Sequence, residues 1–353
     1  MGGNRQPGEP EPRVMQVAGR LGRMVWTLPE PMLAEPVNSP ALPPGFAAEP
    51  KWDGYRALLA RYADGRVVIR SRRGTDMTAA FPEITRAAAS LPARVEFAMD
   101  GELVVWEGGR VAFERLQGRL NRTAAGAAAM AAQWPAHYVA FDLLRLNGTP
   151  LTTQDYAARR AALEDLFTDQ ALPPPWTLCP STTDPATAAE WLEWSAVGME
   201  GLVIKNLRGT YRPMTRGWRK YRVAHTTDAI IGAVSRSLTD PATVLLGRYD
   251  PTGRLRYTGR STVLPRPLAT TLPARLSPAG EEHPWTGRTF SAAWGAKTAL
   301  TVVLVLPELV VEVRADVSRD SAGRWRHPVK LVRLRDDLAP ADVPLFGDAT
   351  PSN

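Results

Sequence analysis

The sequence predicts an α+β fold built on antiparallel sheets and followed by a small all-β barrel. Three observations carry the prediction. Between residues 46 and 206, β-rich runs joined by tight-turn dipeptides are interspersed with Ala-rich or amphipathic helical stretches. From about Thr227 that texture gives way to short strands and turns. The chain has 353 residues, enough for two domains that each bury a core. We therefore divide it into a disordered extension over 1–26, a mixed domain over 27–226 and a β domain over 227–353.

Residues 1–26 are rich in Gly, Pro and Arg without a sustained period, which predicts disorder. Prolines punctuate an extended arm from Pro29 to Pro44, which leads into a strand over 46–51. Glu49, Lys51 and Asp53 alternate there and share one face while the chain stays extended. The run 57–62, the Asp64-Gly65 turn and the run 66–71 form a hairpin; 82–90 is a helix; 95–106, the Gly108-Gly109 turn and 110–113 form a second hairpin. Residues 123–133 are Ala-rich and helical, and 137–146 is a strand that stops at Asn147-Gly148.

Thr152 and Asp155 start a helix to about Phe167 whose apolar stripe includes Tyr156, Leu163 and Leu166. Asp184 caps and Pro185 opens another helix, which Gly198 closes, and 201–206 reads as a buried strand. Candidate strands at 229–236, 242–249, 254–262, 301–317 and 325–335 then fit a small closed barrel such as an OB-fold. With no long linker between them, the two domains are expected to meet across a cleft.

Composition narrows the function. A net charge of +7 and a pI near 9.8 favour a polyanionic partner. One cysteine, Cys179, excludes an intramolecular disulfide and a Cys-rich zinc module, and the four histidines are dispersed. Any metal is then a hard cation held by carboxylates and phosphates. No run approaches the roughly 18 apolar residues of a membrane span, and the N-terminus lacks the apolar core of a signal peptide. We expect a soluble, cytoplasmic monomer.

The chemistry concentrates in Glu49-Pro50-Lys51-Trp52-Asp53-Gly54-Tyr55-Arg56. A lysine with an ordinary pKa near about 10.4 is a poor nucleophile until cations or a metal disfavour its charged form. By itself, Lys-x-Asp-Gly more often marks a surface lysine before a turn. Asp100-Gly101-Glu102 sits inside an apolar strand, and Glu200 and Lys205 stand at the two ends of another; isolated, such acids are usually solvated strand ends. Their odd spacing puts Glu200 and Lys205 on opposite faces of an ideal strand, so only a twist or bend brings both to one site. Phe141, before Asp142, is more often core than ligand shelf. Residues 211–222 interleave five cations with aromatic rings, which suits phosphate binding as well as it suits a basic surface strand.

The ordered set Glu49-x-Lys51-x-Asp53-Gly54-x-Arg56, Ser71-Arg72-x-Gly74, Asp100-Gly101-Glu102, Phe141-Asp142, Glu200-Gly201-x-x-x-Lys205 and Trp218-x-Lys220 resembles the nucleotidyltransferase motifs of ATP-dependent DNA ligases. In overall extent the chain resembles the minimal bacterial ligase C type. The resemblance implies an adenylation domain followed by an OB-fold, with ATP and Mg2+ (or Mn2+) as cofactors and nicked duplex DNA as substrate. It implies that Lys51 becomes a lysyl-AMP, that Glu49 lies near the adenine, and that Arg56 and Glu102 contact the ribose side. Phe141 would stack on the base and Arg72 would await the DNA phosphate. Glu200, with Glu102, would hold the metal, and Lys205 and Lys220 would contact the α-phosphate and supply Lys51 with cationic neighbours. Arg216 is a further candidate for that anionic surface, and a hinge is expected near 223–228.

Two departures stand out. Arg222 occupies a position where the family often has lysine, and Arg335-Asp336-Asp337 is followed by Leu338 where the family commonly has lysine. Arg333 or Arg335 remains for orienting the pyrophosphate. RNA ligases and capping guanylyltransferases share Lys-x-Asp-Gly, but capping enzymes usually carry Asp at the Glu200 position. A different class, a non-catalytic DNA-binding barrel protein, leaves the intact Lys51 and its acids unexplained.

Overall fold

The computed structural model describes residues 26–291 and 299–348. The expected extension over 1–26 lies outside the described residues except for Trp26. Two sheets face each other in the first part of the chain. One has four strands in the order Leu33–Pro36, Arg216–Arg222, Met199–Asn206 and Phe46–Trp52. The other has seven, with Tyr55–Arg61, Phe97–Glu107 and Ala136–Leu146 adjacent at its centre.

Strand periodicity explains the layering. Leu58, Ala60 and Ala98 pack between the sheets with Leu144, Trp218 and Tyr211. Their alternates Ala57, Leu59 and Phe97 join the opposite core with helix residues Ile84 and Ala88 of Pro82–Ala89, and Leu163 and Leu166 of Tyr156–Asp169. Asp155 caps the latter helix by accepting from the Ala158 amide at 2.8 Å. Arg159 interrupts its buried face but is forked onto Asp142 at 2.7 and 2.9 Å, which compensates both charges. Pro50, which cannot donate to a ladder, lies in Phe46–Trp52, the outermost strand of its sheet.

The C-terminal sheet has Leu255–Arg260, Pro241–Tyr249, Ala224–Arg236, Val310–Asp316 and Lys330–Leu334 in that order, with Val302–Leu304 also paired to Ala224–Arg236. A parallel bridge between Ser261 and Val329, with the Val329 amide donating to Arg260 O at 2.9 Å, draws its outermost strands together. Trp325, Val311, Val313 and Leu246 fill the space enclosed.

Several expectations change. The single strand over 301–317 divides into Val302–Leu304 and Val310–Asp316 around Pro307, and 325–335 shortens to Lys330–Leu334 after Pro328. Both prolines lack the amide a ladder needs. The helix opened by Pro185 stops at Trp191 and passes into a 3-10 turn, Leu192–Val197. The basic segment is itself a strand, Arg216–Arg222, and only Val223 separates it from Ala224–Arg236. Among the described residues no helix is long and apolar enough to cross a membrane.

Candidate active site

Side chains directly opposite one another in an antiparallel pair share a face. Lys51 opposes Gly201, Glu49 opposes Val203 and Ala47 opposes Lys205, while Val203 and Gly201 in turn oppose Lys220 and Arg222. Register alone therefore gathers Glu49, Lys51, Lys205, Lys220 and Arg222 on one face of the four-stranded sheet. Glu200 joins them through a bulge: Met199 opposes Trp52 and Gly201 opposes Lys51, which leaves Glu200 as the extra residue. This is the bend that the odd spacing of Glu200 and Lys205 required. Gly201 permits it, with a φ of 148° and a close approach in which a Cβ would sit 2.0 Å from Tyr221 O. Lys51 Nζ donates to Glu200 Oε2 as a result.

The facing sheet supplies the other wall of a cleft of about 600 Å³ lined by Lys51, Glu200, Glu102, Phe141, Lys220 and Arg72 among others. Arg56 opposes Glu102 across their ladder and is fixed by Asp100, donating from Nε at 3.0 Å and from Nη2 at 2.6 Å. Its guanidinium lies 5.0 Å from the Trp218 ring. Phe141 meets Trp218 edge to face at 5.9 Å, so the apolar part of the cleft carries two rings.

The electrostatics divide the acids. Burial opposes the charge of Glu200, but Lys51 and Arg222, together with the Lys51 hydrogen bond, outweigh it and hold the carboxyl well below its usual range. Burial pushes Glu102 up to about 8 against the pull of Lys51 and Arg56, with Asp53 and Glu200 adding to the rise. Asp53 is raised to about 6, again by burial first and then by Glu200, with Arg326 opposing. Burial, then Arg222, Lys51 and Arg72, lower Lys220. Among the described residues no three acid, His or Cys groups form a complete metal cage. Glu102 and Glu200 both face the cleft, and Glu102 is an acid short of positive charge. Two carboxylates suit a hard cation whose remaining ligands are phosphate or water oxygens.

The expected residues differ in how they meet the cleft, which Lys205 lines and Arg216 does not. Lys205 is fully buried and bound to Glu49 Oε2 at 2.7 Å, away from Lys51, whose charged partner is Glu200 instead. Its side chain is the cation that compensates Glu49. Arg72 is exposed at the cleft wall, while Arg216 is exposed and outside the lining. Arg333 pairs with Glu312 at 2.7 Å, and Arg335 with Asp228 at 3.0 Å and Asp337 at 2.8 Å; neither lines the cleft.

Three residues unmarked by the sequence reach the site from the C-terminal part. Ser318 Oγ donates to Glu200 Oε1, Arg326 Nη1 donates to Asp53 Oδ1, and His327 lines the cleft with Nδ1 2.8 Å from Asp316. Arg222 bonds the same Asp316 at 3.0 Å. The available signal was Arg326-His327-Pro328, a cation and an imidazole beside a strand-breaking proline, but only tertiary structure brings Arg326 to Asp53 and His327 to Asp316.

Comparison with known proteins is consistent along most of the chain. The ATP dependent DNA ligase domain profile matches residues 31–222. DNA ligase C2 of Mycolicibacterium smegmatis is 36% identical over 330 residues, covering 87% of this chain and 90% of that protein. DNA ligase C of Mycobacterium tuberculosis is 34% identical over 331 residues, covering 88% and 90%. The structure of mycobacterial DNA ligase D complexed with ATP and MES is similar at a TM-score of 0.50 and 29% identity, covering 90% of this chain and 98% of that one.

Proposed function

The chain belongs to the ATP-dependent DNA ligase family, and from that premise we propose how its cleft seals 5′-phosphate, 3′-hydroxyl nicks, in the service of DNA repair. The observation that carries the reading is Lys51 on one sheet face with Glu200, Lys220 and Arg222, opposite Glu102 and the Phe141 ring. Lys51 Nζ attacks the α-phosphorus of ATP, forming a P–N bond as pyrophosphate leaves and its proton passes to solvent or a neighbouring base. Lys220 and Arg222 stabilise charge building on the phosphate oxygens. The nick 5′-phosphate then displaces Lys51 to take the AMP, and the 3′-hydroxyl displaces AMP in turn. A divalent cation, when bound, neutralises phosphate charge and would be held by Glu102 and Glu200.

Phe141 offers the base a face, Glu49 stands at that end of the cleft, and Arg56 is braced by Asp100 toward the ribose side. Arg72 on the exposed wall is suited to the DNA backbone. We read 27–226 as the adenylation domain and 227–353 as an OB-fold. The antiparallel order and the Ser261–Val329 bridge support that barrel. Val223, the single residue between two long strands, is the proposed pivot for a barrel whose Ser318 and Arg326 now cover Glu200 and Asp53.

The test uses purified protein, magnesium and a nicked duplex with ATP, GTP or NAD. The reading expects sealing with ATP that vanishes in Lys51→Ala. Sealing supported by GTP or NAD instead, or no sealing with ATP, would contradict it.

A further inference from the structure

Two donors that the C-terminal part brings to the cleft, Ser318 and Arg326, stand on one hairpin over 316–327. An antiparallel bridge joins Arg319 to Trp325, which sets Ser318 opposite Arg326, and the Arg326 amide donates to Ser318 O at 3.2 Å. Asp320 ties the turn by accepting from the Ala322 and Arg324 amides at 2.9 Å each and from Arg324 Nε at 2.7 Å. The Trp325 amide donates to Thr258 O at 2.7 Å, and the Trp325 ring is buried in the barrel core. Ser318 and Arg326 therefore travel with the barrel as one unit.

That unit sits on two acids of the cleft. Ser318 Oγ donates to Glu200 Oε1 and Arg326 Nη1 to Asp53 Oδ1, with the Arg326 guanidinium 3.4 Å from the centre of the Phe113 ring. A third tie lies beside Val223: Arg222 Nη1 donates to Asp316 Oδ2 at 3.0 Å, and His327 Nδ1 stands 2.8 Å from the same oxygen. Lys51 donates to the other Glu200 oxygen, Oε2. Both oxygens of Glu200 are thus engaged, one of them by the barrel. A hard cation needs carboxylate oxygens turned toward it, and a guanidinium held at Asp53, in the same lining, repels it. The docked barrel and a cation are drawn to the same negative charges.

We propose that the 316–327 hairpin is an autoinhibitory strap: with Ser318 on Glu200 and Arg326 on Asp53 it withholds these carboxylates from a divalent cation, so that cation binding and barrel docking exclude one another. This rests on reading Glu200 as a metal-holding residue. The sign follows from linkage. Whatever binds only the released form favours release, and whatever weakens docking strengthens cation binding. Release also separates Arg222 from Asp316 and leaves its charge to the cleft.

The first measurement is the affinity for Mn2+ alone, without nucleotide or DNA, read from free Mn2+ by electron paramagnetic resonance. The second is energy transfer between fluorophores on Ala63→Cys and Pro251→Cys, exposed turn positions in the two parts of the chain, while Cys179 is buried. Magnesium, but not potassium chloride of equal ionic strength, is expected to change the transfer in otherwise wild-type protein. Ser318→Ala and Arg326→Gln, made separately on the two sides of the hairpin, are expected to shift the transfer the same way before any cation is added and to bind Mn2+ about fivefold more tightly. Glu200→Gln is expected to weaken Mn2+ binding and abolish the response to magnesium. Transfer unmoved by magnesium in the wild type, or Mn2+ affinity unchanged or weakened in both hairpin variants, would overturn the inference and leave the ligase reading intact. Mn2+ binding that Glu200→Gln does not weaken would overturn the reading of Glu200 as a metal-holding residue, and the strap with it.

Discussion

Two lysine–glutamate pairs stand on one face of the same sheet, Glu49 and Lys51 two residues apart on their strand, and their surroundings give them different work. Lys51 is 20% exposed and opens into the cleft, and its partner Glu200 also meets Arg222 and Ser318. Lys205 and Glu49 are sealed, at 1% and 2%, among Phe141, Tyr156 and Trp218. An ion pair open to the cleft can exchange partners with a phosphate or a cation. A sealed pair cannot do so without leaving a charge uncompensated. The same two residue types form an open contact in one place and a covered one in the other.

Exchanging the lysines gives the largest effects. Lys51→Ala should abolish adenylation while destabilising the protein less than the loss of Lys205 does, because Arg222 and Ser318 still meet Glu200. Lys205→Met should destabilise the protein by about 3–5 kcal/mol by leaving Glu49 buried and unpaired. Adding Glu49→Gln should recover much of that loss. Urea unfolding beside an adduct assay checks both, and equal destabilisation by Lys51→Ala and Lys205→Met would erase the contrast.

The acids of the open pair's cleft sharpen the comparison through pH. Glu200 is held well below its ordinary 4.5, so its contribution to stability is present above that value and is lost only in strong acid. Glu102 has the opposite sign: raised from 4.5 to about 8, its contribution is complete below 4.5 and fades as pH rises through about 8. Metal-free protein should therefore lose stability between pH 5 and about 9, and Glu102→Gln should flatten that slope. Magnesium should raise the melting temperature at the alkaline end in wild type more than in Glu102→Gln. The smallest effect belongs to Arg216, exposed beyond the cleft. Arg216→Ala should leave adenylation within about twofold and lower the salt dependence of DNA binding by at most about one unit of slope.

Much of this was legible because strand periodicity is local. The hairpin beginning at Tyr55–Arg61, the helix Pro82–Ala89 and the strand Ala136–Leu146 follow from alternation, caps and turn dipeptides in their own segments. The motif order pointed to the face bearing Lys51, Glu200 and Lys220, and to the walls with Glu102 and Phe141. Hidden were features set by distant packing. The bulge at Glu200 depends on register with the Lys51 strand, and Gly201 alone does not announce it. Lys205 reads as one more cation until Glu49 and the rings of Phe141, Tyr156 and Trp218 are seen around it. Arg326 and Ser318 acquire meaning only when the C-terminal sheet meets Asp53 and Glu200, and the sequence does not show that Arg335 pairs with Asp228 and Asp337.

The contrast between the two lysines is tested most directly by locating the nucleotide. Wild-type protein incubated with ATP and magnesium, then digested and mapped by mass spectrometry, should carry AMP on Lys51 and none on Lys205. AMP on Lys205, or on any residue in a Lys51→Ala protein, would contradict the account.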